Sequence, residues 1–189
     1  MSTTVKFTSA DLERMPADGK RYEIIEGELY VSRQPSFEHQ YTCGRLGQLL
    51  ADWSDRCKLG FVAPAPGLVF AENDDVVPDV VWVSRERYAE AVDAAGHLRL
   101  APELVIEVLS PGKANEKRDR QAKLKLYSRR GVQEYWIVSW VGQFVEAYRR
   151  TDTELKLAAT LHAQDNLQSP LLPDFSCQAS KLFLSSLPV

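Results

Sequence analysis

The chain has 189 residues, of which 44% are hydrophobic and 26% charged, the composition of an ordinary globular protein. Its net charge of −3 excludes a surface that is basic all over, as many nucleic-acid-binding proteins have. No apolar run approaches ~18 residues, so no transmembrane helix is expected. The length predicts one domain over residues 1–189. Residues 1–6 lack the apolar core of a signal peptide, and the three cysteines lack C-x-x-C spacing, so we expect a cytoplasmic protein.

The first half of the chain predicts a short helix, a hairpin, a long helix and two strands. The helix covers residues 8–14, and the hairpin covers residues 22–32 with its turn at Glu26 and Gly27. Ser36 is a suitable N-cap for a helix that extends to about Lys58, with apolar residues at helical spacing. Strands follow at residues 67–71 and 76–84, and residues 85–96 are helical or irregular.

The second half places a central strand at residues 103–109 and a helix at 115–130 that ends at Gly131. A hairpin of residues 134–139 and 143–149, a strand near 155–160, and a tail from residue 169 that packs back on the body complete the prediction. The order indicates an α+β fold with α/β-like features, in which helices flank a mixed β-sheet and the N-terminal hairpin is an addition. The site is expected at one end of the central strands.

Glu107 stands out because it lies within an otherwise aliphatic strand, Leu104 to Leu109. A carboxylate buried on such a strand is costly unless it is paired or binds a metal. Asp79 follows Pro78 at the start of a second apolar run, so two acids lie on two predicted core strands. A buried ion pair between Glu107 and Lys123 or an arginine, with no metal, is the alternative to a metal site.

Lys123 falls at the margin of the inward stripe of the 115–130 helix, which follows the Glu107 strand through a short loop. A cluster of Asp79, Glu107 and Lys123 is therefore plausible, although Lys123 could equally lie along the solvated helix flank. Residues 113–130 hold 8 of the 23 basic residues in 18 positions. The run could contact phosphates or form a solvated helix face, and its candidate nucleic-acid-binding residues are Lys113, Lys117, Arg118 and Arg120.

Several ordered segments resemble the core of the Uma2 family of endonucleases, which belongs to the PD-(D/E)XK superfamily and was formerly a domain of unknown function. The segments are Val77–Val80, Ala101–Pro111, Lys123–Tyr127 and Arg130–Val138, with further likeness in Tyr22–Leu29 and Ser169–Pro173. The resemblance covers most of the chain and implies a restriction-endonuclease-like fold. It also implies phosphodiester cleavage, most readily of DNA, that depends on Mg²⁺ or Mn²⁺.

The resemblance assigns the metal-binding acids to Asp79 and Glu107, and the carbonyl of Val108 is a candidate third ligand because hard cations also accept carbonyl oxygens. Leu109 occupies the position where the superfamily has its lysine, so the catalytic lysine is assigned to Lys123 on the next helix. The chain also has Ser139-Trp140 where members of the family often have Asp-Pro, and we expect that difference to be structural. Carboxylates suit these hard cations, and a lysine suits a phosphate.

Glu26 and His39 are possible additional site residues. Glu26 would join the site if the hairpin folded over it, but it could equally be an ordinary turn carboxylate. The family often has a histidine at the position of His39, which could instead be a structural, hydrogen-bonded histidine. The predicted function is that of a metal-dependent endonuclease, for which a homodimer that cuts two strands with two subunits is the expected assembly. The alternatives are an inactive nucleic-acid-binding or assembly subunit and, less well matched to the basic residues, a carboxylate-pair glycosidase.

Overall fold

The computed structural model describes residues 5–184, which form an α+β fold with three sheets. The strands are β1 (Arg21–Ile25), β2 (Glu28–Ser32), β3 (Gly60–Pro64), β4 (Leu68–Ala71), β5 (Asp74–Val76), β6 (Val80–Ser84), β7 (Leu104–Val108), β8 (Glu134–Ser139), β9 (Phe144–Thr151), β10 (Glu154–His162), β11 (Asn166–Gln168) and β12 (Ser176–Gln178). The α-helices are α1 (Ser9–Leu12), α2 (Phe37–Cys57), α3 (Arg85–Ala91), α4 (Lys113–Lys117) and α5 (Leu124–Arg130). A π-helical segment (Arg118–Lys123) joins α4 to α5, and a 3₁₀ turn covers Ala179–Leu182.

The main sheet has six strands in the order β10-β9-β8-β7-β6-β3, and a smaller sheet has the order β2-β1-β5-β4. In the main sheet β7 and β8 pair in parallel, whereas the other neighbours are antiparallel. Parallel neighbours need a crossover connection of a dozen or more residues, usually helical. The helical stretch from α4 through the π-helical segment to α5 supplies that connection.

Each face of the main sheet packs against different elements. On one face, Leu46 and Trp53 of α2 join Trp136 of β8 in a core that also includes the C-terminal segment. On the other face, Leu126 of α5 and Val76 of the smaller sheet pack in a second core. The central strands are thus covered on both sides, which is why their sequences are nearly continuous apolar runs.

The predicted ends of the two main helical regions are confirmed. The Ser36 hydroxyl accepts a hydrogen bond from the His39 N–H at 3.3 Å, and α2 ends at Lys58 in the left-handed conformation with a φ of 59°. Gly131 ends α5 with a φ of 93°, which glycine adopts without steric cost. The hairpins at residues 21–32 and 134–151 are also present as predicted.

The predicted strand at residues 76–84 is two strands in the structure. β5 ends at Val76 in the smaller sheet and β6 starts at Val80 in the main sheet. Pro78 lies between them, and a proline has no N–H to continue a ladder. The sequence interpretation also missed β3, the edge strand of the main sheet, and the short β11–β12 hairpin.

The tail from residue 169 packs back on the body as far as the structure describes it. Leu172, Phe175 and Leu182 are buried in the same core as α2. The expectations for residues 185–189 and for residues 1–4 lie outside the described range. Among the helices of residues 5–184, none has the length and apolarity to cross a membrane.

Two glycines offer a matched test of this packing. A Cβ added at Gly60 in β3 would lie 2.3 Å from the Val83 carbonyl oxygen, whereas a Cβ at Gly44 in α2 would meet nothing within 4 Å. We expect Gly60→Ala to lower the free energy of unfolding by about 1–3 kcal/mol through overpacking. Gly44→Ala should raise it by roughly 0.5–1 kcal/mol, since alanine is the better helix former. Urea denaturation of both variants measures the difference, and equal midpoints would contradict the packing described for β3.

Candidate active site

The pairing of β6 with β7 brings the two predicted acids together. Val80 pairs with Ile106 and Val81 with Val105 in an antiparallel register. Continuing that register by one residue places Asp79 opposite Glu107, and opposed residues of an antiparallel pair lie on the same face. Both side chains are almost fully buried, with 5% exposure for Asp79 and 2% for Glu107. The two acids therefore lie side by side at the same end of the central strands.

The carboxylate of Asp79 is held by three groups. Its Oδ2 accepts a hydrogen bond from the Val108 N–H at 2.9 Å and lies 3.5 Å from Nε2 of His39. Its Oδ1 accepts a hydrogen bond from Nη1 of Arg21 at 2.9 Å. Burial alone would raise the pKa of Asp79, but His39, Lys123 and Arg21 outweigh burial and hold the pKa well below its usual range. Asp79 is thus a carboxylate at neutral pH.

Glu107 belongs to a second, deeper network around Lys123. The Lys123 ammonium lies 2.9 Å from Oε1 of Glu107 and 2.8 Å from Oε1 of Glu23, a residue of β1. Glu107 Oε1 also accepts a hydrogen bond from the Tyr127 hydroxyl at 2.8 Å. Lys123 has no exposed surface, so one buried ammonium is shared by two buried carboxylates. The ion pair considered for Glu107 is therefore present, with Glu23 as an additional member.

The charges of this network move the pKa values of its members in different directions. Burial, followed by the repulsion of Asp79, Asp119 and Glu23, raises the pKa of Glu107 to about 8 despite the nearby Lys123. For Glu23 the attraction of Lys123 and Arg118 outweighs burial and lowers the pKa. Burial would lower the pKa of Lys123, but the surrounding carboxylates raise it above its ordinary value. Glu107 is thus the member of the network that titrates nearest to neutral pH.

Lys123 lies in the π-helical segment and is fully buried there. The sequence interpretation placed it at the margin of the inward face of this helical region. In the wider π-helical turn both Asp119 and Lys123 are buried, with no exposed surface. Asp119 pairs with the guanidinium of Arg118 at 2.8 Å, and Arg118 also donates to the Ser32 hydroxyl of β2. π-helical turns are frequent at functional sites.

A cleft opens beside the two acids. The residues that line it include Arg21, Arg33, His39, Asp79, Glu107, Ser110 and Arg118. His39 lies between Asp79 and Ser110, since its Nδ1 is 3.5 Å from the Ser110 hydroxyl. Lys123 does not line the cleft and lies behind Glu107 instead. The cleft therefore exposes the acids to a ligand while the lysine stays in the interior.

The donor atoms at the cleft suit a hard divalent cation. Within residues 5–184, Oε2 of Glu107 has no hydrogen-bond partner, so one oxygen of a cleft-lining carboxylate is available as a ligand. His39, Cys43 and Asp79 also place one donor atom each within 4.8 Å of one another. Burial, followed by the charges of Asp79 and Glu107, raises the pKa of Cys43 well above its ordinary value, and a protonated thiol is a poor ligand. Carboxylate oxygens are the ligands that Mg²⁺ and Mn²⁺ prefer.

The other candidate residues differ in whether they line this cleft and in what they are bound to. Glu26 sits at the hairpin turn with a φ of 53°, and its carboxylate pairs with Lys125 and Arg129 of α5 rather than lining the cleft. Lys113 and Lys117 are exposed on α4. Arg118 lines the cleft but is bound to Asp119, and Arg120 is bound to Glu146.

Sequence reasoning did not identify Arg21, Glu23, Cys43 or Asp119 as residues of the site. Arg21 and Glu23 are two residues apart on β1, so they share one face of that strand. Charged residues at every second position are typical of a solvent-exposed strand face. This pattern is why neither Arg21 nor Glu23 was recognised as a site residue. The signal that could have found Glu23 is its position between apolar neighbours in a short strand.

The fold of this chain is similar to that of a solved structure. A crystal structure of a putative nuclease belonging to DUF820 from Anabaena variabilis superimposes with a TM-score of 0.75 at 18% sequence identity, over 94% of this chain and 97% of that one. The type IIG restriction endonuclease BpuSI gives a TM-score of 0.42 at 13% identity, over 76% of this chain and 14% of that one. Comparison with curated proteins gave no match.

The family follows from the sequence itself. Residues 9–180 match the Uma2 family, which is described as putative restriction endonuclease. The chain belongs to the Uma2 family. The resemblance read from the ordered segments and the restriction-endonuclease-like fold are thereby confirmed.

The raised pKa of Glu107 makes the stability of the metal-free protein depend on pH. The pKa of Glu107 is about 8 in the folded state against its ordinary 4.5 in the unfolded chain, so between these values the folded state holds a proton that the unfolded state has lost. The stabilisation from Glu107 is present below pH 4.5 and is lost as pH rises through about 8. We expect unfolding in EDTA to require on the order of 2 kcal/mol less at pH 9 than at pH 6. Glu107→Gln should flatten this dependence; an unchanged profile in thermal denaturation would contradict the assignment.

Proposed function

We propose that this protein is a divalent-metal-dependent endonuclease that hydrolyses phosphodiester bonds, most readily in DNA. The observation that carries the proposal is the convergence of Asp79 and Glu107 on one cleft from neighbouring strands. Both acids are nearly buried, and Oε2 of Glu107 has no hydrogen-bond partner within the described chain. Membership of a family of nucleases agrees with this chemistry.

The metal would be Mg²⁺ or Mn²⁺, with Asp79, Glu107 and the carbonyl of Val108 as its protein ligands. The peptide of Val108 already lies against Asp79, since its N–H donates to that carboxylate at 2.9 Å. When bound, such an ion makes a coordinated water more acidic and neutralises charge on the phosphodiester. Asp79, whose pKa is held low, is ionised and ready to bind a cation at any pH near neutrality.

Lys123 acts in this proposal through Glu107. Its ammonium is buried and contacts two carboxylates, so it fixes the position of Glu107 from behind the cleft. Direct contact with an attacking water would require the lysine to leave Glu23. We therefore regard Lys123 as a positioning residue whose contribution is the orientation of Glu107.

His39 lies nearer to the cleft than Lys123. Its Nε2 faces Asp79 at 3.5 Å and its Nδ1 faces Ser110 at 3.5 Å, so the ring bridges a metal-binding acid and the cleft wall. In this position it orients the Asp79 carboxylate toward the cleft. Glu26 has no comparable contact and is bound to α5 instead, so its proposed contribution is to hold the hairpin on that helix.

The nucleic acid would approach along α4. Lys113 and Lys117 are exposed there, and Arg118 at the end of the same helix lines the cleft. Because Arg118 and Arg120 are already paired with carboxylates, the two lysines are the cations best able to bind phosphates. We also predict that the chain is a single domain, that two copies of it cut two strands, and that the protein is cytoplasmic.

A second candidate is an inactive nuclease-fold protein that binds nucleic acid or assembles with a partner. Two observations favour it: Arg21 covers Oδ1 of Asp79, and Lys123 lies away from the cleft. Such a protein would bind DNA without cutting it. The two candidates therefore differ in cleavage and agree in binding.

Plasmid nicking separates the two candidates. We expect the wild-type protein to nick supercoiled DNA with Mg²⁺ or Mn²⁺ and to lose the activity in EDTA. Asp79→Asn and Glu107→Gln should each fall below about one hundredth of the wild-type rate, since each replaces a carboxylate metal ligand with a neutral amide.

The control is Glu90→Gln, which removes an exposed carboxylate on α3 and should leave the nicking rate unchanged. Circular dichroism of all variants establishes that they are folded. If folded Glu107→Gln nicked DNA as fast as the wild type, this cleft would not be the active site.

The role of α4 is tested by the salt dependence of DNA binding. Each phosphate contact contributes about 0.9 to the slope of log affinity against log salt concentration. Replacing Lys113 and Lys117 with alanine should weaken binding and make that slope less steep by about 2. Fluorescence anisotropy of a labelled duplex at several salt concentrations measures it. Replacing Lys156 and Lys181, which lie elsewhere, is the control, and an equal change there would contradict a specific contribution of α4.

A further inference from the structure

We propose that Arg21 is a catalytic residue with two successive binding partners. In the metal-free protein its guanidinium is bound to Asp79. Once a metal has displaced the guanidinium from Asp79, Arg21 binds the scissile phosphate. The inference deepens the proposed function and rests on it for the second step. Arg21 begins β1, and its Nη1 lies 2.9 Å from Oδ1 of Asp79 and 3.1 Å from the Val77 carbonyl oxygen.

The first part of the argument concerns which side of Asp79 is accessible. Oδ2 faces the Val108 N–H and His39, both of which are buried. Oδ1 faces Arg21, whose side chain is 30% exposed and lines the cleft. A metal cation that enters the cleft would bind Oδ1 of Asp79, and the Arg21 guanidinium already occupies that oxygen. Two cations repel one another at that distance, so arginine and metal compete for Asp79.

The second part concerns how firmly Arg21 is held. Both of its hydrogen bonds come from Nη1, and within residues 5–184 the Nε and Nη2 atoms have no hydrogen-bond partner. A guanidinium has five N–H donors, and most of those in Arg21 are unused. When the side chain leaves Asp79, the hydrogen bond to the Val77 carbonyl is therefore the one other hydrogen bond that has to break. Other arginines near the site are held more tightly, such as Arg118, which is bound to Asp119 and Ser32.

The third part concerns what Arg21 would bind after its release. The backbone of β1 is fixed, since Arg21 pairs with Ser32 in the β1–β2 hairpin. The guanidinium thus stays at the cleft and beside the acids when the contact to Asp79 is lost. A planar guanidinium with free donors matches two oxygens of a phosphate, a geometry that a lysine cannot provide. Placed next to the metal ligands, it would stabilise the negative charge that develops on the phosphoryl oxygens.

The test measures metal affinity and cleavage in the same variants. Arg21→Ala removes the competitor, so Mn²⁺ should bind about fivefold or more tightly by calorimetry, while the maximal nicking rate falls. Arg21→Lys retains the charge, so its Mn²⁺ affinity should stay near the wild-type value while its maximal nicking rate remains low. A residue with a purely structural role would not raise metal affinity and lower turnover together.

Two controls make the result specific. Arg33 also lines the cleft but does not contact Asp79, so Arg33→Ala should change Mn²⁺ affinity by less than about twofold. In an Asp79→Asn background, Arg21→Ala should no longer raise the affinity. The inference is overturned if folded Arg21→Ala binds Mn²⁺ no more tightly than Arg33→Ala, or if an active wild-type protein keeps its maximal nicking rate in Arg21→Ala. If the wild type does not nick DNA at all, the proposed function fails, and the Mn²⁺ affinities alone decide whether Arg21 guards Asp79.

Discussion

The site depends on the contacts that the Lys123 ammonium makes with both Glu23 and Glu107. These contacts join three elements: Glu23 from the smaller sheet, Glu107 from the main sheet and Lys123 from the crossover between β7 and β8. Burying these groups is costly, and the cost is offset only by close geometry together with further hydrogen bonds, such as the one that Tyr127 donates to Glu107. Removing Lys123 would leave Glu23 and Glu107 without their shared cation, whereas removing either glutamate would leave the ammonium with one partner. The fold therefore depends on the same contacts that keep Glu107 beside Asp79.

The electrostatics of the site follow from an excess of acids around that lysine. Glu23, Glu107, Asp79 and Asp119 are buried within one region, and Lys123, Arg118 and Arg21 offset them only in part. Burial, followed by the repulsion of the neighbouring acids, raises the pKa of Glu107, while Asp79 stays ionised because His39, Lys123 and Arg21 outweigh its burial. A divalent cation would relieve this excess of negative charge, which is why the cleft suits metal binding better than binding of another anion.

Much of the architecture could be predicted from the sequence, because apolar periodicity and capping residues are local signals. Ser36 and Gly131 marked helix ends, and the aliphatic run around Glu107 marked the central strand. Asp79 and Glu107 were visible as site candidates because a carboxylate inside such a run is unusual. The full burial of Lys123 did not follow from helical spacing, which placed the lysine at the margin of the inward stripe, and Arg21 and Glu23 resembled a solvent-exposed strand face. Whether a polar strand face meets water or another sheet is decided by tertiary packing, which a single strand cannot reveal.

The short junction between β5 and β6 has a mechanical consequence. Residues 77–79 carry the chain from the smaller sheet to the main sheet, and Asp79 is the last residue of that junction. Arg21 and Glu23 lie on the smaller sheet, whereas Glu107 lies on the main one. With a tether of three residues, any sliding of one sheet over the other pulls directly on the Asp79 backbone. The separation of the acids and their cationic partners is thus coupled to the relative position of the two sheets, so a ligand that bridged both sheets would lock the charges in place.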